Sequence, residues 1–279
     1  MQYARTIRAA SGQDAHAWAE ALAAGVWQGQ GAMLKQEGER LVVAAMVLGQ
    51  RVVIKQWPRR SFKRRLQGLL GRTPALRHWR GAALLAEAGV ASATPLAVVR
   101  GEGYEWLVME AVAGESLLEC LADESLGVRE RHAIARSAGR LVAGLTTRGV
   151  FNRDMKPSNI LITGIGDREA DLVVIDCGGV RRQRRSRGRY RMLASLLIEP
   201  VGVGVSLPST LIMRGLTAYC DAWLESILGR AVDRRRPQDR RVRAHVRLAT
   251  MNRVALAFAN HGDLRPLINP LMDMARAAS

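Results

Sequence analysis

The sequence predicts an α+β fold with a small antiparallel sheet in its N-terminal part and mostly helices in its C-terminal part. Three observations carry that expectation. Leu41–Leu48 and Arg51–Lys55 are short apolar runs rich in β-branched residues, joined by the two-residue turn Gly49-Gln50. Ile160–Thr163 and Leu172–Ile175 form a second such pair, with turn residues between Gly164 and Asp171. Long segments with helical apolar spacing stand elsewhere, above all from Val128 to Arg148. At 279 residues and 48% hydrophobic content the chain is large enough for two parts with buried cores, assigned to residues 1–111 and 112–279, with 1–30 as an extension of the first.

In chain order, Lys35–Arg40 is a polar turn with one glycine, Gly38, before the first strand pair. Lys55 is placed at the end of the second strand. A basic stretch from Arg59 to Arg65 leads to Thr73-Pro74, an N-cap and first-turn pair opening a helix that Gly89 closes, with Leu76, Trp79, Ala83 and Leu84 on its apolar side. Trp106–Ala111 reads as a strand entering a connector, and Gly114-Glu115-Ser116-Leu117 as the opening of a helix. The helix from Val128 to Arg148 shows Ile134, Leu141, Val142 and Leu145 on one side and Gly149 at its end. Leu196 to Met213 is mostly apolar, but Glu199, Pro200 and Pro208 interrupt it, so it reads as a buried helix and loop rather than a membrane span.

The chemistry concentrates in Asn152-Arg153-Asp154-Met155-Lys156-Pro157-Ser158-Asn159, followed by Asp176-Cys177-Gly178. Phosphoryl transfer from ATP needs a carboxylate beside the acceptor hydroxyl, a cation on the transferring phosphate and oxygen ligands for magnesium. Asp154 would serve as the base, Lys156 as the cation, and Asn159 with Asp176 as the metal ligands. Antiparallel pairing of the second strand pair is expected to bring Asn159 beside Asp176. The alternative is that these are ordinary turn residues flanking a strand; two motifs in order, with a hairpin between, weigh against it.

These motifs resemble the catalytic loop and metal-binding turn of the protein-kinase-like superfamily, His-Arg-Asp-x-Lys-x-x-Asn and Asp-Phe-Gly, with Asn152 in place of the His and Cys177 in place of the Phe. The resemblance implies a bilobal protein-kinase-like fold. It also implies that Lys55, in Val-Val-Ile-Lys, contacts the ATP phosphates, that Gly38 lets backbone approach the nucleotide, and that Glu110 to Val112 hold the adenine edge. A solvated lysine and a plain hairpin turn are the alternatives for Lys55 and Gly38. In that superfamily the helix after the lysine carries a glutamate that pairs with it; here His78 stands at the equivalent position and Glu87 lies near the far end. Trp79, Ala88-Gly89-Val90 and Thr94-Pro95-Leu96 narrow the similarity to the lipopolysaccharide core kinases, which phosphorylate Kdo or heptose sugars, over about Leu34 to Tyr219. ATP and Mg2+ are the cofactors this implies, with a sugar hydroxyl of an anionic glycolipid or sugar phosphate as acceptor.

The formal net charge of +17 is mostly arginine. Arg181, Arg182, Arg184 and Arg185 follow the metal-binding turn and are assigned to gripping an anionic substrate; a second cluster runs from Arg234 to Arg243 and is as well explained as a solvated face. Aromatic residues are 5% of the chain and do not alternate with the arginines, so nucleic acid is an unfavoured partner. Peripheral attraction to anionic membrane fits better. Three cysteines without metal spacing and an N-terminus without an apolar run point to the cytoplasm, with the inner membrane face as the place of action on a glycolipid. The other readings are a protein Ser/Thr kinase, opposed by the lack of Ala-Pro-Glu after Asp176, and a pseudokinase scaffold, for which His78 and Asn152 speak.

Overall fold

Two compact units divide the chain in the computed structural model: Met1–Ala83 with Ser92–Val112, and Leu84–Ala91 with Ala113–Ser279. The structure describes residues 4–183, 187–229, 231 and 236–259.

The first unit is built on strands β1 (Arg5–Ala9), β2 (Ala32–Glu37), β3 (Arg40–Val47), β4 (Gln50–Pro58), β5 (Pro95–Arg100) and β6 (Tyr104–Glu110). They form one antiparallel sheet in the order β1-β5-β6-β4-β3-β2. Period-two alternation sorts its side chains. Val43, Ala45 and Val47 of β3 and Val52 and Ile54 of β4 join one core with Trp18, Leu22 and Trp27. Val53 and Trp57 point to the opposite face, where Ala75, Leu76, Val98, Leu107 and Met109 form a second core. Helix α1 (Ala15–Ala24) covers the first face and helix α4 (Pro74–Glu87) the second; α2 (Val26–Gln30) and α3 (Phe62–Leu69) complete the unit.

Three expectations change here. Residues 1–30, expected as an extension, supply β1, which pairs with β5 from Arg5↔Arg100 to Ala9↔Ala97, and the buried anchors Trp18, Leu22 and Trp27. Burying each such side chain contributes about 1.5–3 kcal/mol, enough to hold this segment to the sheet. Lys55 was placed at a strand end, yet β4 runs on to Pro58 and pairs on both sides, so Lys55 lies mid-strand between Val42 and Leu107. The β3–β4 turn is Leu48-Gly49, with φ of 51° and 73°, one residue earlier than expected.

The α4 boundaries follow the sequence signals. Thr73 Oγ1 accepts from the Leu76 N–H at 3.3 Å, and beyond the helix the Val90 N–H donates to Leu85 O at 2.9 Å.

In the second unit, α5 (Leu117–Ala122) opens on a reciprocal cap: Ser116 Oγ accepts from the Glu119 N–H and the Glu119 carboxylate accepts from the Ser116 N–H. Helix α6 (Val128–Thr147) buries Ile134, Val142 and Leu145. It crosses α8 (Ser209–Leu228) at small residues: a Cβ added to Gly139 would lie 2.1 Å from the Gly215 carbonyl oxygen. Helix α7 (Arg187–Gly202) ends just after its internal Pro200, and α9 (Pro237–Ala259) packs on α7 and α8. Short strands carry the remaining backbone: β7 (Glu115–Ser116), β9 (Ile160–Ile165) and β10 (Ala170–Val174) form one sheet, and β8 (Val150–Asn152) pairs with β11 (Val180–Arg182). Among the described residues, no helix is long and apolar enough to cross a membrane.

Candidate active site

The catalytic-loop motif begins where α6 delivers the chain through Gly149 into β8. Asn152, the last residue of β8, is 1% exposed. Its Oδ1 accepts from the Asp154 N–H at 3.0 Å, and its own N–H donates to Met192 Sδ of α7 at 3.3 Å. The side chain therefore fixes the turn that presents Asp154. Lys156 precedes a proline, which disfavours helical backbone, and it is extended at φ −106°, ψ 146°. Pro157–Asn159 then makes one 3₁₀ turn into β9. Within this loop Asn159 Nδ2 donates to Asp154 O at 2.9 Å, closing the loop on itself. Glu199 of α7 fastens it from outside, accepting from the Ser158 N–H at 2.8 Å and the Ser158 hydroxyl at 2.6 Å.

Asp154 is about one-third exposed, and its carboxylate is forked by the neighbouring guanidinium: Arg153 Nε to Oδ1 at 3.2 Å and Nη2 to Oδ2 at 3.1 Å. The carboxylate holds the Arg153 pKa above its ordinary value through that hydrogen bond and through its charge. Half-open to solvent, such a pair contributes only about 0–1 kcal/mol, so the carboxylate can exchange Arg153 for another donor at small cost.

The hairpin β9–β10 connects this loop to the second motif. Its register begins Ala170↔Ile165 and Asp171↔Gly164 and then slips to Leu172↔Ile162, a one-residue bulge at Thr163. Without the bulge Asn159 would face Asp176, as expected; with it, the Ile175 N–H donates to Asn159 O at 3.0 Å and Asp176 is the next residue along. Asp176 Oδ1 then accepts from the Gly178 N–H at 3.1 Å, and the chain turns into β11, where Val180 pairs with Asn152. The turn also passes very close to the loop: the Arg153 N–H donates to Gly179 O at 3.1 Å, and a Cβ on Gly179 would lie 2.6 Å from Asp154 Oδ2.

Asp154, Lys156, Asn159 and Asp176 are thus brought together by one hairpin and one strand pair. Asn159, with Nδ2 committed to the loop, keeps its Oδ1 as an acceptor, and Asp176 adds a carboxylate. Two hard oxygen donors without sulfur or imidazole suit Mg2+, which binds one or two protein oxygens and takes the rest from phosphate and water. Among the described residues no group of three or more His, Cys, Asp and Glu gathers as a denser metal cage.

Of the remaining sequence candidates, Arg181 lies over the Phe151 ring at 5.2 Å, and Arg182 is ion-paired with Glu87 at the surface. Arg184 and Arg185 fall outside the described residues. In the first unit, Lys55 shares the α4-covered face of the sheet with Val53 and Trp57, and His78 of α4 is buried at 2% exposure. Gly38 forms the β2–β3 turn at φ 59°, open enough that a Cβ would meet nothing within 4 Å. Glu110 ends β6 paired with Val52; its N–H donates to Thr94 O and that of Ala111 to Arg51 O. Both bonds tie the end of β6 to neighbouring segments of the same unit.

Sequence reasoning missed Gly179, Glu199 and Met192. Gly179 had a signal, a second glycine directly after the metal-binding turn; Glu199 and Met192 had none, because their partners lie about forty residues upstream.

Residues 24–201, more than half of the chain, match the Lipopolysaccharide kinase (Kdo/WaaP) family. The chain belongs to that family. It is a kinase, with the curled antiparallel sheet and helical portion of the kinase-like α+β fold. Similarity also extends to eukaryotic protein kinases. The mouse ribosomal protein S6 kinase alpha-2 is 31% identical over 127 residues, and the human ribosomal protein S6 kinases alpha-1 and alpha-3 are 30% and 29% identical over the same length. Each match covers 45% of this chain and 16% of the relative, so the kinase spans only a small part of their length.

Proposed function

We propose that this kinase transfers the γ-phosphoryl group of ATP to a sugar hydroxyl of a lipopolysaccharide core, Kdo or heptose, or of a related anionic glycolipid, at the cytoplasmic face of a membrane. The observation that supports the phosphotransfer part is the closure of the Asn152–Asn159 loop onto the Asp176 turn, the two segments that carry the proposed base, cation and oxygen donors. The family supports the sugar acceptor.

Asp154 accepts the proton of the attacking hydroxyl, held in place by Asn152 beneath it and by the backbone of Gly179 beside it. Lys156 offsets charge on the transferring phosphate. Asn159 Oδ1 and the Asp176 carboxylate would hold Mg2+, whose chemistry at such a site is to neutralise phosphate charge and orient the phosphates for in-line transfer. Lys55 contacts the phosphates of ATP, and backbone groups from Glu110 to Val112 meet the adenine. Arg181, with its guanidinium on Phe151, and Arg182, whose exposed pair with Glu87 exchanges at small cost, would meet the acceptor anion.

The test is labelled ATP with core oligosaccharide or Kdo-containing lipid A, beside a generic protein substrate. Label on the saccharide, reduced at least about a thousandfold by Asp154→Ala with unchanged folding, is the expected result. Label on protein alone would move the assignment to a protein Ser/Thr kinase; no label anywhere, with ATP hydrolysis equal in wild type and Asp176→Ala, would make the chain a pseudokinase.

A further inference from the structure

The second half of helix α3, Leu66–Leu69, is turned against the usual logic of an amphipathic helix. Leu66 and Leu69, with Leu70 just beyond the helix end, are 46%, 86% and 59% exposed. Gln67 and Gly68, the polar and small positions, are the half-buried ones. Gly68 faces the protein: a Cβ there would lie 3.6 Å from Arg59 Nη2 and 3.7 Å from the Arg100 guanidinium. Leu66 and Leu69, three apart, lie on the other side of the turn from Gly68. A core-seeking helix would bury its leucines and expose its glutamine; this one does the reverse, leaving a small apolar ridge in water.

The setting of that ridge is cationic. Between Glu39 and Glu87 the sequence contains no aspartate or glutamate, while Lys63, Arg64 and Arg65 lie within α3 and Arg72 follows it; of the two arginines before it, Arg59 is bonded to Gly101 O and Arg60 is ion-paired with Glu39. Arg72, Arg77 and Arg80 are exposed. Protruding leucines in so basic a segment match an anionic bilayer, whose headgroups take the charges and whose acyl boundary takes the leucines. A nucleic acid would take the charges but leave the leucines in water, and would ask for exposed aromatic faces instead.

We propose that α3 and Leu70 form an interfacial membrane-docking element, with Leu66, Leu69 and Leu70 entering the headgroup–acyl boundary of an anionic bilayer and the exposed Arg72, Arg77 and Arg80 that follow binding its lipid phosphates. The element lies on the membrane rather than across it, consistent with its eight-residue length. It gives the membrane part of the proposed function a physical location, and rests on that part alone: docking requires no phosphotransfer, so its test is separate from that of the acceptor.

The test is co-sedimentation of the full chain with vesicles of phosphatidylcholine alone and of phosphatidylcholine with phosphatidylglycerol. The wild type should sediment with the anionic vesicles only, less so as salt rises. Leu66→Ser, Leu69→Ser and Leu70→Ser together should weaken this at least about tenfold without lowering the melting temperature. Leu69→Ser alone, at the most exposed of the three sites, should weaken it measurably and serves if the triple variant does not fold. Equal sedimentation of the variants and wild type, equal binding to neutral vesicles, or no sedimentation at all would overturn the proposal. So would a concentration-dependent dimer that the leucine substitutions abolish, or tight binding to an RNA oligonucleotide that they leave intact.

Discussion

Replacing Gly179 by alanine should damage catalysis far more than stability. The added methyl would lie 2.6 Å from Asp154 Oδ2, 3.0 Å from Asn152 Oδ1 and 3.1 Å from Asp154 Cγ. Ordinary contact begins near 3.4 Å, so a displacement of roughly 0.8 Å is needed, and the part free to move is the Asp154 carboxylate. Misplacing a catalytic group by about 1 Å costs about 10²-fold in rate. The expected result is therefore a fall in kcat of about 10- to 100-fold, or about 1.4–2.8 kcal/mol in the barrier. The KM for ATP should hold, because the methyl group meets only the loop that presents the base. Stability should change little. Gly179 has no left-handed φ to lose, and the Arg153–Asp154 pair it disturbs contributes at most about 1 kcal/mol, or about 2–4 °C in Tm. The assay is steady-state phosphotransfer beside thermal unfolding, with Gly202→Ala, where a Cβ meets nothing within 4 Å, as control. A kcat within twofold of wild type would refute the reasoning, as would a loss of activity that merely tracks unfolding.

Further expectations concern the second unit. Gly139→Ala pushes a methyl group into the Gly215 backbone and should destabilise by about 1–3 kcal/mol, read as a lowered urea midpoint with unchanged KM in the folded enzyme. His132 has a pKa held below 6.5 by burial first, then by Arg214 and Arg136. Its unfolded state takes up a proton that the folded state resists, so the stability from the neutral imidazole is fully present above pH 6.5 and is lost as pH falls through the folded pKa. Denaturation midpoints should drop with acidification over that range, and His132→Gln should flatten the slope; an unchanged slope would remove His132 as its source.

What the sequence disclosed and what it hid separate along physical lines. Local chemistry was legible: the Thr73-Pro74 helix start, the helix opening at Gly114–Leu117 and the apolar face of α6 all sit where caps and periodicity placed them. The catalytic loop was legible because its function fixes residue types at short spacing. Register was not, because a bulge at Thr163 has no compositional mark in a run of β-branched residues, yet it moves Asn159 from Asp176 to Ile175. The β3–β4 turn went the same way: Leu48 at φ 51° is a conformation that leucine's own preferences argue against, imposed by strands paired on both sides. Asp14 capping α1 and Gly25 closing it were readable signals at the N-terminus, but nothing in them foretold that β1 would pair with β5, ninety residues away. The Arg182–Glu87 pair likewise joins distant residues, and no local pattern in the sequence announces it.

The backbone contact between Gly139 and Gly215 bears on how this enzyme loses activity with heat. The helix carrying Gly139 continues through one short turn into Val150–Asn152, and the loop holding Asp154 is braced by that strand, its partner, α7 and the β9–β10 hairpin, all within the second unit. Loosening these helices therefore also loosens the loop that presents the base. Thermal inactivation and unfolding of the helical unit should share a midpoint, and any additive that raises one should raise the other.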